Sequence, residues 1–292
     1  MSDADPSALA RLRVAQRNEI TEHHVYRRLA SLVRDPENRR TLEKIADDEL
    51  NHYRAFTEIS GRKIGPDRLR VGFYVLVSRL FGLTFGVKLM EKGEERAQGV
   101  YAGLEATFPQ LRLVREDEER HEHALLDMLN DERLSYVGSV VLGLNDALVE
   151  LTGVLAGLSF AFQNTRLIAL SGLITGIAAA LSMAASEYLS RRAEEGQNAG
   201  KSSFYTGMAY IITVLILVGP YLVLHSYLLC LALALIMAVL IILLFTFYLS
   251  IAKDLPFTGR FLEMAGISLG VAALSFGISV VVKKLLGVDV GA

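Results

Sequence analysis

The chain has 292 residues, 52% of them hydrophobic, with a net charge of −2 and a mean hydropathy of +0.35. That hydropathy is too high for a wholly water-soluble protein and too low for one that is membrane throughout. Basic residues interleave with acids without forming a patch, which argues against nucleic acid as a partner, and a single cysteine, Cys230, excludes an internal disulfide and a cysteine metal cluster.

Charge is unevenly spread. Residues 1–135 hold 22 of the 30 Lys and Arg and 24 of the 32 Asp and Glu, leaving 8 of each for residues 136–292. A water-exposed domain over 1–135 followed by a bilayer domain over 136–292 is therefore expected. The start, Met1-Ser2-Asp3-Ala4-Asp5-Pro6, lacks a basic region followed by an apolar run. No cleaved signal peptide is expected, and the first domain is placed in the cytoplasm.

In chain order, residues 7–33 read as a helix with Leu9, Leu12, Ile20, Val25, Leu29 and Leu32 among its apolar positions. It ends near Asp35-Pro36, where the proline suits the first turn of a second helix over 36–60 that stops at Gly61. After Gly65-Pro66-Asp67, a third helix is expected over 68–107, and Phe108-Pro109 separates it from a fourth over 110–130. Four such helices suffice for a bundle core. Val71 to Met90 is long and apolar enough to span a bilayer. Arg79 and Lys88 would each cost about 2.5 to 3.5 kcal/mol near its centre, which favours a bundle helix whose first part lies on the membrane surface.

Beyond Ser135 five spans are expected, at 137–162, 166–189, 204–224, 226–251 and 261–283, giving an all-α chain. With residue 135 inside, the cytoplasmic flanks carry Arg133, Arg191, Arg192, Lys201, Lys253 and Arg260, against Arg166, Lys283 and Lys284 on the other side. This bias agrees with a cytoplasmic first domain. Cys230, inside an apolar stretch, reads as a small core or lipid-facing residue.

Two short stretches carry the chemistry. Glu49-Leu50-Asn51-His52 and Glu118-Glu119-Arg120-His121 repeat the spacing that puts a carboxylate and an imidazole on one helical face. The first and third helices supply further carboxylates: Glu19 lies seven residues before Tyr26, and Glu94 seven before Tyr101. Each half of the bundle thus reads Glu-x6-Tyr followed by Glu-x-x-His, an internal duplication suited to a two-metal cage. Oxygen ligands with one imidazole per metal suit iron or manganese, and the lack of thiolates disfavours structural zinc. Glu22, His23, His24, Glu95, Glu119, Glu122 and His123 read as surface residues.

On these residues, 7–130 resembles the ferritin-like superfamily, particularly rubrerythrins and bacterioferritins. The resemblance implies Glu19, Glu49, His52, Glu94, Glu118 and His121 as ligands of a di-iron site, Glu91 as a seventh, mobile ligand, and Tyr26 and Tyr101 as hydrogen-bond partners of the ligands.

The first span contains Asp146 and Glu150 one helical turn apart, and the second contains Met183 and Glu187 at the same spacing. Acids in hydrocarbon normally face a partner or a polar path. Here they would line a route for a divalent cation, with the thioether biasing it toward transition metals. The strings Gly143-Leu-Asn-Asp-Ala-Leu-Val149 and Ala180-Leu-Ser-Met-Ala-Ala-Ser-Glu-Tyr-Leu-Ser190 make residues 137–284 similar to the vacuolar iron transporter family. That resemblance implies proton-coupled movement of Fe(II), and often Mn(II), out of the cytoplasm by a homodimer, with Asp146 and Met183 on the pathway.

There are two departures. Thr175 stands where plant-type members have a glutamate eight residues before the methionine, leaving Glu150 or Glu187 for that role. Only Ser190 to Ser203 connects the second and third spans, where those members insert a metal-binding helical region. The whole resembles bacterial membrane-bound ferritin-like iron exporters, in the inner (plasma) membrane of a bacterial or archaeal cell. The expected function is Fe(II) or Mn(II) export, with a di-iron domain that captures, senses or oxidises iron. The alternative is a membrane-tethered di-iron ferroxidase or peroxide reductase.

Overall fold

The computed structural model describes residues 6–93, 108, 111–128, 132–194 and 198–286, and every regular element among them is a helix. The chain divides into two compact units, Met1–Asp131 and Glu132–Ala292.

The first unit contains α1 (Pro6–Ala30), α2 (Pro36–Ser60), α3 (Arg68–Phe81), α4 (83–93) and α5 (Arg112–Met128). Local chemistry sets the ends of α2. Asp35 caps it by accepting from the Asn38 amide at 2.8 Å, Pro36 occupies its first turn, and Gly61 closes it in the left-handed conformation with φ 64°. Buried Gln16 of α1 then fastens this end. Its Nε2 donates to Thr57 Oγ1 and to the Arg62 carbonyl, both at 2.7 Å, while its Oε1 accepts from Ser60 Oγ at 2.9 Å. These bonds fix the register of α1 against α2, which places Glu19 opposite Glu49 and His52. Apolar layers on either side of that level hold the helices together: Val25, Leu29, Leu42, Ile45, Val71 and Leu125 belong to one, and Leu12, Phe56, Leu111 and Val114 to the other.

The continuous helix expected over 68–107 is broken at Gly82, whose φ of 98° and ψ of 157° separate α3 from α4. Apolar periodicity runs through the break, and the turn rests on a backbone conformation that residues with a Cβ rarely adopt. The chain then doubles back closely enough that a Cβ on Gly86 would collide with the Ser78 side chain.

The second unit contains α6 (Glu132–Phe162), α7 (Thr165–Ala193), α8 (Ala199–Val223), α9 (Tyr227–Ala252) and α10 (Phe257–Leu286). All five contain a segment long and apolar enough to cross a membrane. Their lengths reflect composition: α9, for example, has no charged residue between Tyr227 and Ala252. The link between α7 and α8 is shorter than the Ser190–Ser203 connection expected, because α7 continues to Ala193 and α8 begins at Ala199.

Helix α6 packs against each of the other four. Between apolar helices in lipid, association depends on close packing and polar contacts, and α6 supplies both. Gly143 lies so close to the Thr206 carbonyl of α8 that no Cβ would fit, and Gly153 and Gly157 face Ser275 and Ser279 of α10. Thr206 Oγ1 donates to the Ser139 carbonyl at 3.0 Å, and Ser268 Oγ to that of Leu148 at 2.9 Å. Ser159 and Tyr221 share a hydroxyl pair at 2.8 Å. Buried Cys230 lies in the unit's core cluster, and its thiol donates to the Pro220 carbonyl.

Gly82→Ala is expected to destabilise the first unit by about 1 to 3 kcal/mol through backbone strain. Gly65, which has ordinary backbone and open space around it, is the control. Thermal unfolding of the full chain in detergent checks this: Gly82→Ala lowers Tm and Gly65→Ala leaves it nearly unchanged.

Candidate metal centre

Three helices aim titratable side chains at one interior level of the first unit. Glu19 comes from α1, Glu49 and His52 from adjacent turns of α2, and Glu118 and His121 from adjacent turns of α5. Glu19, Glu49, His52 and His121 are buried, and Glu118 is partly so. Ligand atoms of Glu19, Glu49, His52 and Glu118 all lie within 4.8 Å of one another.

The contacts have a regular pattern. His52 Nδ1 is 3.4 Å from each of Glu19 Oε2, Glu49 Oε2 and Glu118 Oε1. His121 Nδ1 is 3.2 Å from Glu49 Oε1 and 4.0 Å from Glu118 Oε2. Glu49 and Glu118 thus each turn one oxygen toward each imidazole, while Glu19 serves the His52 side alone. The rings stand 5.9 Å apart, centroid to centroid. Glu49 and Glu118 therefore stand between the two imidazoles, with oxygens toward both.

The far nitrogens are also engaged. His52 Nε2 lies 3.2 Å from Asp117 Oδ2, and His121 Nε2 lies 3.1 Å from Asp48 Oδ2. Each aspartate immediately precedes the glutamate of the opposite helix, so α2 and α5 hold each other's imidazoles. Arg120 pairs with the other oxygen of Asp117. A carboxylate on Nε2 makes that nitrogen the donor and leaves Nδ1 as the nitrogen that faces the glutamates.

These donors fit a metal ion. Burying carboxylates is expensive unless a cation or proton compensates them. The 3.4 Å approaches are longer than good hydrogen bonds, and Glu49 Oε2, His52 Nδ1 and His121 Nδ1 are buried without a hydrogen-bond partner. Burial pushes the Glu19 carboxyl up to about 8; His52 opposes the rise and the Glu49 charge adds to it. For His52 burial acts downward, but Glu118, Glu19 and Glu49 outweigh it and push the imidazole up to about 12. His121 is raised in the same way, with Glu49 foremost against burial. Protons therefore occupy the set at neutral pH, and an entering cation must displace them.

Glu94 and Tyr101 lie outside the described residues. Glu91 is half-buried on α4 and is not among the four converging residues. Tyr26 is buried in the apolar layer with Val25 and Leu29. Among the residues read as surface, His23 is half-buried with Nδ1 2.6 Å from the Ala46 carbonyl, whereas His24 and His123 are exposed. Sequence reasoning missed Asp48 and Asp117, although a signal was present: both motifs are Asp-Glu-x-x-His.

In the second unit, Asp146 is half-buried on α6, and Glu150, a turn further on, accepts a 2.8 Å hydrogen bond from the hydroxyl of fully buried Tyr210 on α8. Met183 is half-buried on α7 and packs against the core cluster that includes Ala147, Leu148 and Leu151. Glu187 is buried and accepts from Ser139 Oγ at 2.8 Å and Arg191 Nε at 3.0 Å. Its charge is compensated locally. Thr175 is exposed on α7. Tyr210 and Asn145, whose Oδ1 is buried without a hydrogen-bond partner, were also missed.

Because protons compete for Glu19 and His52, metal affinity of the first unit is expected to rise from about pH 6 to 8, by about tenfold per pH unit for each proton released. Asp48→Asn or Asp117→Asn should weaken binding by about 10 to 100-fold. Isothermal titration of the full chain with Fe(II) or Mn(II) under anaerobic conditions measures both; affinity that falls as pH rises would contradict the competition.

No curated protein matches the chain. The VIT family model matches residues 137–200, which comprise most of α6, all of α7 and the first residues of α8, and with the five apolar helices this match supports a VIT membrane domain in the second unit.

Proposed function

We propose that the chain exports Fe(II), with Mn(II) as an alternative cargo, out of the cytoplasm in exchange for protons, and that its first unit is a ferritin-like domain collecting the same ion. The observation that carries this reading is the convergence of Glu19, Glu49, His52 and Glu118 on a chain whose residues 137–200 match the VIT family model. A VIT membrane domain suggests a transporter of iron or manganese. A set of carboxylates and imidazoles upstream of it selects for the same class of ion.

Asp146 and Glu150 are the acids we assign to the pathway with Met183, and Glu187 to its cytoplasmic end. Carboxylates can exchange protons for a divalent ion, which supports antiport. The excess of Arg and Lys in the flanks on the side of Arg133, Arg191 and Arg192 supports a cytoplasmic first unit in a plasma (inner) membrane. A homodimer is part of this reading.

In the first unit Glu19, Glu49, His52, Glu118 and His121 would hold the metal. Bound iron would supply redox chemistry there. The residues themselves orient the imidazoles, bury the site and hold protons on Glu19 and His52 until an ion arrives.

Export is tested by loading cells or liposomes with Fe(II) and comparing efflux for the unaltered chain and Asp146→Ala. The variant should lose most of its efflux, and equal rates would refute the assignment. A proton gradient directed inward, acid outside, separates antiport from uniport: proton exchange requires that collapsing the gradient slows efflux.

A second reading, a membrane-tethered ferroxidase or peroxide reductase, is favoured by the way Glu49 and Glu118 each address both imidazoles, an arrangement suited to two adjacent redox metals. The full chain mixed with Fe(II) and peroxide decides it. Turnover abolished by Glu49→Ala means that the site does chemistry, and stoichiometric binding without turnover means capture or sensing.

A further inference from the structure

Helix α3 has a face that its own unit leaves open. Val71, Val77 and Ser78 are buried, and Val71, Tyr74 and Val75 pack into the layer formed by Val25, Leu29, Val87 and Leu125. On the opposite side Leu69, Phe73, Leu76 and Leu80 are exposed, Leu69 by 87% and Leu80 by 67%. Their spacing of four, three and four residues makes one continuous stripe along three turns. A water-facing helix does not ordinarily present such a stripe.

Charge on this helix is equally one-sided. Arg68, Arg70 and Arg79 are exposed, and the segment Arg68–Phe81 contains no acid. At 3.6 residues per turn, Arg70 falls roughly 90° to one side of the stripe, and Arg68 and Arg79 a similar angle to the other. Among the described residues, the acid that offsets Arg70 is the cap residue Asp67, at a loose 3.8 Å. Residues 1–135 as a whole are net acidic, with 24 acids against 22 bases, so a helix with three cations and no anion stands apart from its surroundings.

We infer that the Leu69, Phe73, Leu76 and Leu80 face of α3 docks on the surface of a bilayer containing anionic lipid, with Arg68, Arg70 and Arg79 meeting the headgroups on either side. The combination of a buried face, an opposite apolar stripe and flanking guanidinium groups is that of an interfacial helix. Long arginine side chains lie along the apolar surface and reach phosphate with their heads. A second copy of the chain would bring three further cations to the same face, an arrangement charge repulsion opposes. The chain carries its own membrane anchor in the second unit, so lipid is present at high effective concentration and a shallow stripe of four side chains suffices. The break at Gly82 ends the stripe: α4 beyond it is largely buried, with Phe85, Val87 and Met90 inside.

The test uses the full chain in vesicles, with Cys230→Ala as background and a fluorophore attached at Phe73→Cys, Leu76→Cys or Leu80→Cys, or at Lys44→Cys on the exposed side of α2 as control. The quencher is a nitroxide near the headgroup end of the lipid acyl chain. In vesicles containing phosphatidylglycerol, quenching at the three α3 positions is expected to exceed that at Lys44→Cys several-fold. It should decline toward the control in purely zwitterionic vesicles, in high salt, or with Arg68→Glu, Arg70→Glu and Arg79→Glu combined. High salt acts on the unaltered fold, so the charge dependence is read even where the triple variant folds poorly. Equal quenching at all four positions overturns the inference. So does label-to-label coupling between chains without lipid quenching, which assigns the face to a second copy. Neither outcome depends on whether the protein transports metal.

Discussion

Placing Glu19, Glu49 and His52 in a dry interior, with Glu118 and His121 beside them, is the constraint on which the first unit depends. Like charges confined in low dielectric repel strongly, and no apolar packing removes that repulsion. The fold answers it with protons and imidazoles: Glu19 is held largely neutral by burial, and His52 is held cationic by the acids around it. Such an interior is stable while protons compensate its carboxylates and strained once they leave with nothing in their place. The tethers around Gln16, the caps of α2 and the two apolar layers keep the helices from relieving the repulsion by moving apart.

The second unit solves a different problem with the opposite means. Its helices have hydrocarbon-like surfaces on nearly all sides, so burial gives little preference for one partner over another. Specificity comes from small residues and hydroxyls: Gly143 against Thr206, Gly176 against Val214, Gly207 against Ala184, and the bonds from Thr206 and Ser268 to carbonyls of α6. Acids on these helices acquire dedicated partners, Tyr210 for Glu150 and Ser139 with Arg191 for Glu187. Asp146 is left half-buried beside them.

Helical periodicity and apolar length made the helices and the five long apolar segments readable before any coordinates, because both are properties of consecutive residues. The i, i+3 spacing of Glu49 with His52 and of Glu118 with His121 was readable for the same reason. What periodicity does not carry is backbone conformation at a single residue, so the turn at Gly82 was hidden inside a run of Val, Leu and Phe. Nor does it carry pairing between distant segments. Asp48 and Asp117 resemble other acids on charged helices until each is seen against the opposite histidine, 73 and 65 residues away, and Tyr210 becomes notable only through its bond to Glu150.

The crossed aspartates have a consequence of their own. Asp48 belongs to the helix of His52 yet steadies His121, and Asp117 belongs to the helix of His121 yet steadies His52. Neither half of the repeat is self-sufficient, so the repeated spacing visible in the sequence does not make two independent modules. A change at either aspartate therefore acts first on the opposite helix, loosening the histidine it holds there and not the one on its own helix.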